Sequence, residues 1–83
     1  MEYKVLIRLY VPEIEEEYEM YIPINKHIIE ITDLLCKLVN DLSKIYPIKK
    51  DAYLCNRRTG HIYNKMDIVS KTDIRNGTEL IIF

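Results

Sequence analysis

From Tyr3 to Tyr10 the chain reads YKVLIRLY, and its two sets of alternate residues differ in character. Tyr3, Val5, Ile7 and Leu9 are apolar; Lys4, Leu6, Arg8 and Tyr10 are mixed. Period 2 with β-branched residues predicts a strand whose odd set faces inward. Residues 11–17, VPEIEEE, hold a proline and a glutamate run and read as a connection. The alternation resumes over 18–24, with Tyr18, Met20, Ile22 and Ile24 inward and Glu17, Glu19 and Tyr21 outward. Pro23 falls on the outward set, which suits a strand end or an edge strand. Two strands with a short connection predict an antiparallel hairpin.

The period then changes. Ile28, Ile31, Leu35, Leu38, Leu42 and Ile45 recur at steps of three and four, with Val39 beside them. This spacing predicts one face of a helix over about 27–45, with Asn25 as its N-cap. Pro47 ends it, because the residue before a proline avoids helical geometry. Leu35, Leu38 and Leu42 are the expected core of that face. Beyond it, 52–56 reads as a short strand, RRTG (57–60) as a turn and HIY (61–63) as a strand stub. Residues 64–74 are irregular, with a helical turn at 67–70. RNGT (75–78) is the last turn and ELIIF (79–83) the last strand. One helix must then cover one face of one sheet.

The totals narrow the class. Eighty-three residues, 48% hydrophobic and 30% charged, fit one α+β domain over 1–83 and not a disordered chain. No apolar run approaches the roughly 18 residues of a membrane span, so direct membrane insertion is not expected. Charges inside MEYKVLIRLY argue against a signal peptide, and the chain is read as cytoplasmic. The net charge of −1 argues against a nucleic-acid partner. Charge is nonetheless segregated: residues 1–33 carry three Lys/Arg against eight Asp/Glu, and residues 34–83 nine against five.

Candidate chemistry is sparse. Two cysteines, Cys36 and Cys55, are too few for a disulfide framework and lack metal-ligand spacing. His27 and His61 belong to no metal motif. Arg57 and Arg58 beside Cys55 raise the idea of an activated thiol, but no base or resolving thiol accompanies it. RRTG lacks the glycine pattern and following helix of a phosphate loop. No enzyme, cofactor or metal is expected.

At this point the residues carry a family resemblance. A hairpin, one long helix, a small hairpin and a last strand introduced by Ile74-x-x-Gly77-x-x-Leu80 resemble the ubiquitin-like β-grasp fold. PINKHIIEITDLLCKLV, RRTGHIYN and IRNGTELIIF resemble the YukD/EsaB type within it, small ubiquitin-like proteins that accompany the type VII (WXG100) secretion machinery of Gram-positive bacteria. The resemblance implies a mixed sheet of order 2-1-5-3-4, with the last strand parallel to the first. Conjugated members of the superfamily act through a flexible Gly-Gly tail. The sequence here closes on LIIF, so neither conjugation nor sulfur carriage is expected.

That sheet order sets the first, last and third strands side by side. The residues opposite their core sets, Leu6, Tyr10, Tyr53, Cys55, Ile81 and Phe83, then share the face away from the helix, and a contiguous apolar patch marks a binding surface. The expected partner is a protein, either a component of the secretion machinery or a second copy of the chain, with the acidic connection at 13–19 steering the encounter. The alternatives are a ubiquitin-like carrier or protein modifier, and a recognition module for an unrelated regulator.

Overall fold

A computed structural model describes residues 3–83. Its first two strands, β1 (Lys4–Val11) and β2 (Glu16–Pro23), pair antiparallel from Lys4 opposite Pro23 to Val11 opposite Glu16. A 3-10 turn at Pro12–Ile14 makes the corner, closed by Glu15 in the left-handed region at φ 53°. The alternation is satisfied as expected: Ile7, Leu9, Val11 and Ile22 are buried, and Val5, Tyr18, Met20 and Ile24 pack against them. Tyr3 departs from its set; it precedes β1 and lies exposed.

The helix, α1, spans Ile28–Ser43, shorter at both ends than the periodicity suggests. Asn25 is not its cap. The chain stays extended through His27, because Ser70 N–H donates to Ile24 C=O, Val69 N–H to Lys26 C=O, and His27 forms a β-bridge with Ile68. His27 therefore takes the N-cap position. Its N–H donates to the Glu30 carboxylate at 3.0 Å, and its ring Nδ1 lies 3.2 Å from the same oxygen. These bonds hold the Glu30 carboxyl below the usual range. At the other end Lys44 turns left-handed at φ 66°, while the Ser43 hydroxyl accepts the Tyr46 N–H at 3.1 Å. The chain thus leaves the helix before Pro47 is reached.

The helix register also differs from expectation. Its buried face is Ile28, Ile31, Thr32, Leu35, Cys36 and Val39. Leu38 is only partly covered, and Leu42 and Ile45 are 61% and 72% exposed. Thr32 stays satisfied by donating its hydroxyl to Ile29 C=O.

Two further strands complete the sheet. β3 (Leu54–Asn56) is antiparallel to β4 (Glu79–Ile82), and β4 is parallel to β1, with Leu9 beside Leu80. The order is β2-β1-β4-β3. The expected extra strand at 61–63 is reduced to one bridge, Ile62 opposite Cys55, flanked by Asn56 N–H donating to His61 C=O and Tyr63 N–H to Leu54 C=O. It lies at the sheet edge beside β3, where the fourth strand of the 2-1-5-3-4 order was expected, and Gly60 at φ 78° turns the chain into it. Between it and β4, a 3-10 turn at Val69–Lys71 buries Val69, and Gly77 at φ 88° makes the turn for which a side chain is unfavourable. Ile74 and Leu80 on either side are buried. Among the described residues, no helix is long and apolar enough to cross a membrane.

Candidate protein-binding face

Strand register fixes what lies on the sheet face away from α1. Tyr10 stands opposite Glu17 on one side and beside Ile81 on the other; Ile81 stands opposite Cys55, and Cys55 opposite Ile62. Opposed residues share a face, so one row crosses the whole sheet: Glu17, Tyr10, Ile81, Cys55, Ile62. The neighbouring row is Phe83 and Tyr53, whose backbones exchange hydrogen bonds at 2.7 and 3.1 Å and whose rings stack at 6.1 Å between centroids. Phe83 is thereby held in the sheet.

The six residues singled out by alternation do lie on one face, but they are not equivalent. Tyr53 and Phe83 are 44% and 43% exposed, and Ile81 is half-buried. Cys55 is 8% exposed, shut in between its neighbours, and its Sγ lies 3.5 Å from Asn56 C=O. It offers almost no contact area, and the sequence-based idea of an accessible thiol finds no support in its burial. Tyr10 lies under the Arg57 guanidinium, 4.5 Å above its ring. Leu6 is set apart, because Arg8 falls between it and Tyr10 on the same face and pairs with Glu19 at 3.3 Å. The alternation puts Leu6, Arg8 and Tyr10 on this face together; what it does not show is the ion pair to Glu19 on β2 that divides the two apolar residues.

Ile62 is the site residue that alternation could have supplied and did not. It is 52% exposed and extends the row beyond Cys55. The signal was Tyr63, an aromatic that takes the inward position and so sends Ile62 outward. The apolar face proper is therefore Ile62, Ile81, Tyr53 and Phe83, bordered by Lys65, whose Nζ sits 4.4 Å from the Tyr53 ring. Its other border is ionic. Arg57 donates to Glu17 at 2.7 Å and reaches Glu79 at 3.9 Å. Glu13 pairs with Lys49. The acidic connection thus has much of its charge matched internally; among the described residues Glu15 and Glu16 form no ion pair.

A polar network underlies the face. Asn56 is buried and its Oδ1 accepts the N–H groups of Arg58 and Thr59, which closes the RRTG turn. Its Nδ2 donates to the Tyr63 hydroxyl at 3.1 Å, and that hydroxyl donates to Asp73 at 2.6 Å. Burial, then the bond to Asp73, push Tyr63 up to about 12. A polar cleft of ≈330 Å³ lies beside this network, lined by Asn56, Arg58, Asp73, Arg75, Thr78 and Glu79 among others. Both signs of charge line it, and Arg75 is engaged with the carbonyls of Thr72 and Ile74. Among the described residues no group of three His, Cys, Asp or Glu could hold a metal ion. His27 serves the helix cap, and His61 packs edge-on against Tyr63.

No protein-family profile matches the chain, and no curated protein does. Solved structures do match, and they share the ubiquitin-like β-grasp fold. One is a chain of the MycP5-free ESX-5 inner membrane complex: TM-score 0.81, 20% identity, 98% of this chain covered. The match spans 21% of that chain. The EccD5 ubiquitin-like domain from Mycobacterium xenopi gives TM-score 0.78 at 13% identity, over 96% of this chain and 92% of that one. A chain in a toluene 4-monooxygenase complex gives 0.73 at 4% identity, over 95% of each. At such identities the likeness is one of fold, and one fold serves unrelated activities.

Proposed function

We propose that this ubiquitin-like chain is a non-catalytic protein-binding module, an accessory or regulatory component of a bacterial type VII-like secretion machinery. It would dock through the sheet face away from α1. The observation that carries the reading is the exposure of Ile62, Tyr53 and Phe83 around Ile81 on that face. A strand surface of this kind gains by excluding water, and aromatic side chains anchor such contacts with few rotamers to fix. The setting is supported from two sides. The phrases around the helix, the RRTG turn and the last strand resemble the YukD/EsaB type, and the fold is like that of part of a chain in the ESX-5 inner membrane complex.

The test is comparative capture from cells of the native organism, read by mass spectrometry. Ile81 is half-buried, so Ile81→Asp strains folding as well as binding. Ile62→Asp and Phe83→Asp alter exposed positions and address binding alone. Membrane-complex subunits retained by the wild-type chain and lost with both exposed variants are the expected result. Identical captures by wild type and variants would remove the sheet face from the function.

A further inference from the structure

The outer flank of α1 carries a second apolar surface, separate from the sheet face. Leu34, Leu38 and Leu42 recur at steps of four along the helix, and Ile45, a further exposed apolar residue, follows once the chain has left it. Leu34 is 38% exposed, and Leu42 and Ile45 more so. Residues four apart on a helix stack one above the next, so this is a stripe and not a scatter. On the flank away from the buried face run Lys37 and Asp41, also four apart and both exposed. Among the described residues neither enters an ion pair.

We propose that this stripe is a self-association surface, on which two copies of the chain pack α1 against α1 in antiparallel sense about a two-fold axis near Leu38. The charge pattern selects this occupant. A two-fold perpendicular to the helices keeps the Lys37/Asp41 flanks of both copies on one side. Centred near Leu38, it sets Leu34 against the partner's Leu42 and brings Lys37 to the partner's Asp41, twice. A parallel pairing sends the two flanks to opposite sides and leaves both charges unmatched. The stripe is thus complementary to itself, the requirement of an isologous interface. It is also narrow. One helix flank falls short of the roughly 800 Å² per partner of a standard interface, so the dimer forms at high protein concentration and dissociates on dilution.

Sedimentation equilibrium of the purified chain over a wide concentration range tests this. Wild type shows a reversible monomer–dimer equilibrium. Leu42→Glu is monomeric throughout with an unchanged melting temperature, since Leu42 contributes little to the core. Lys37→Glu and Asp41→Lys each weaken dimerisation roughly tenfold at low salt, because both cross-pairs turn repulsive. Mixed in equal amounts, the two charge variants form a heterodimer tighter than either homodimer, and the Lys37→Glu/Asp41→Lys double variant recovers wild-type affinity. A wild-type chain that stays monomeric at millimolar concentration overturns the proposal. So does a dimer indifferent to Leu42→Glu, a dimer lost with Ile62→Asp, or charge variants that fail to complement each other.

Discussion

Two buried tyrosines show how much a single hydroxyl decides. Tyr63 accepts from the Asn56 amide and donates to Asp73, whereas the Tyr46 hydroxyl is buried near the Cys36 thiol and has no hydrogen-bond partner among the described residues. Removing a bonded hydroxyl strands its partners; removing an unbonded one relieves a desolvated polar atom. Tyr63→Phe is therefore expected to cost about 1–3 kcal/mol in urea unfolding, and Tyr46→Phe to be neutral or slightly stabilising. A comparable loss at both positions would contradict the assignment. Burial first, then the neighbouring Cys36, push Tyr46 up to about 12, and Tyr63 reaches about 12 as well. In the unfolded chain a tyrosine ionises near about 10. Between those values the folded state holds more protons, so this contribution to stability is complete below pH of about 10 and is lost as pH rises through about 12. Tyrosinate absorbance during an alkaline titration should show late ionisation from Tyr46 and Tyr63, and Tyr63→Phe should remove one of these two late steps.

The strands were legible in the sequence because their period leaves two choices of face, and Ile7, Leu9, Ile22, Leu80 and Ile82 settle the choice. The helix was legible as an element and not as a face. Its apolar arc is wider than one stripe. Ile28, Ile31 and Leu35 begin two equally regular lines, one continuing through Cys36 and Val39 into the core, the other through Leu38 and Leu42 into solvent. Leucine outranks cysteine and threonine in any reading by hydrophobicity, so the sequence favours the wrong line; which line is covered depends on where the sheet lies. Leu35→Ala should then cost about 2–5 kcal/mol, while Leu42→Ala stays within about 0.5 kcal/mol. Equal costs would restore the sequence-based register. The candidate face was legible to the same degree: alternation placed six residues on it, but the burial of Cys55 and the cover of Arg57 over Tyr10 depend on neighbours that sequence order does not bring together.

Across the whole molecule, the segregated charges meet. The acidic first part and the basic remainder are joined by Glu13 with Lys49 and by Glu17 with Arg57, so pairs distant in sequence tie the hairpin corner to the segments after α1 and after β3. Arg57 holds two roles in this arrangement. It closes the charge pair, and its planar group roofs Tyr10, which separates that ring from the apolar face. Exposed ion pairs contribute little, roughly 0–1 kcal/mol, and the ring contact adds about 0.5–1 kcal/mol. Arg57→Ala should therefore lower stability by no more than about 2 kcal/mol. Its larger effect is on the surface. With the guanidinium gone, Tyr10 joins Ile81, and the apolar face extends by one aromatic ring. Binding of a hydrophobic dye to the folded protein should rise in Arg57→Ala and fall again in Arg57→Ala/Ile81→Asp. Arg57→Lys should give an intermediate rise, because an ammonium keeps the charge and loses the flat cover. Dye binding that stays at the wild-type level in Arg57→Ala would mean that Tyr10 has another cover, and the boundary drawn here for the binding face would have to move.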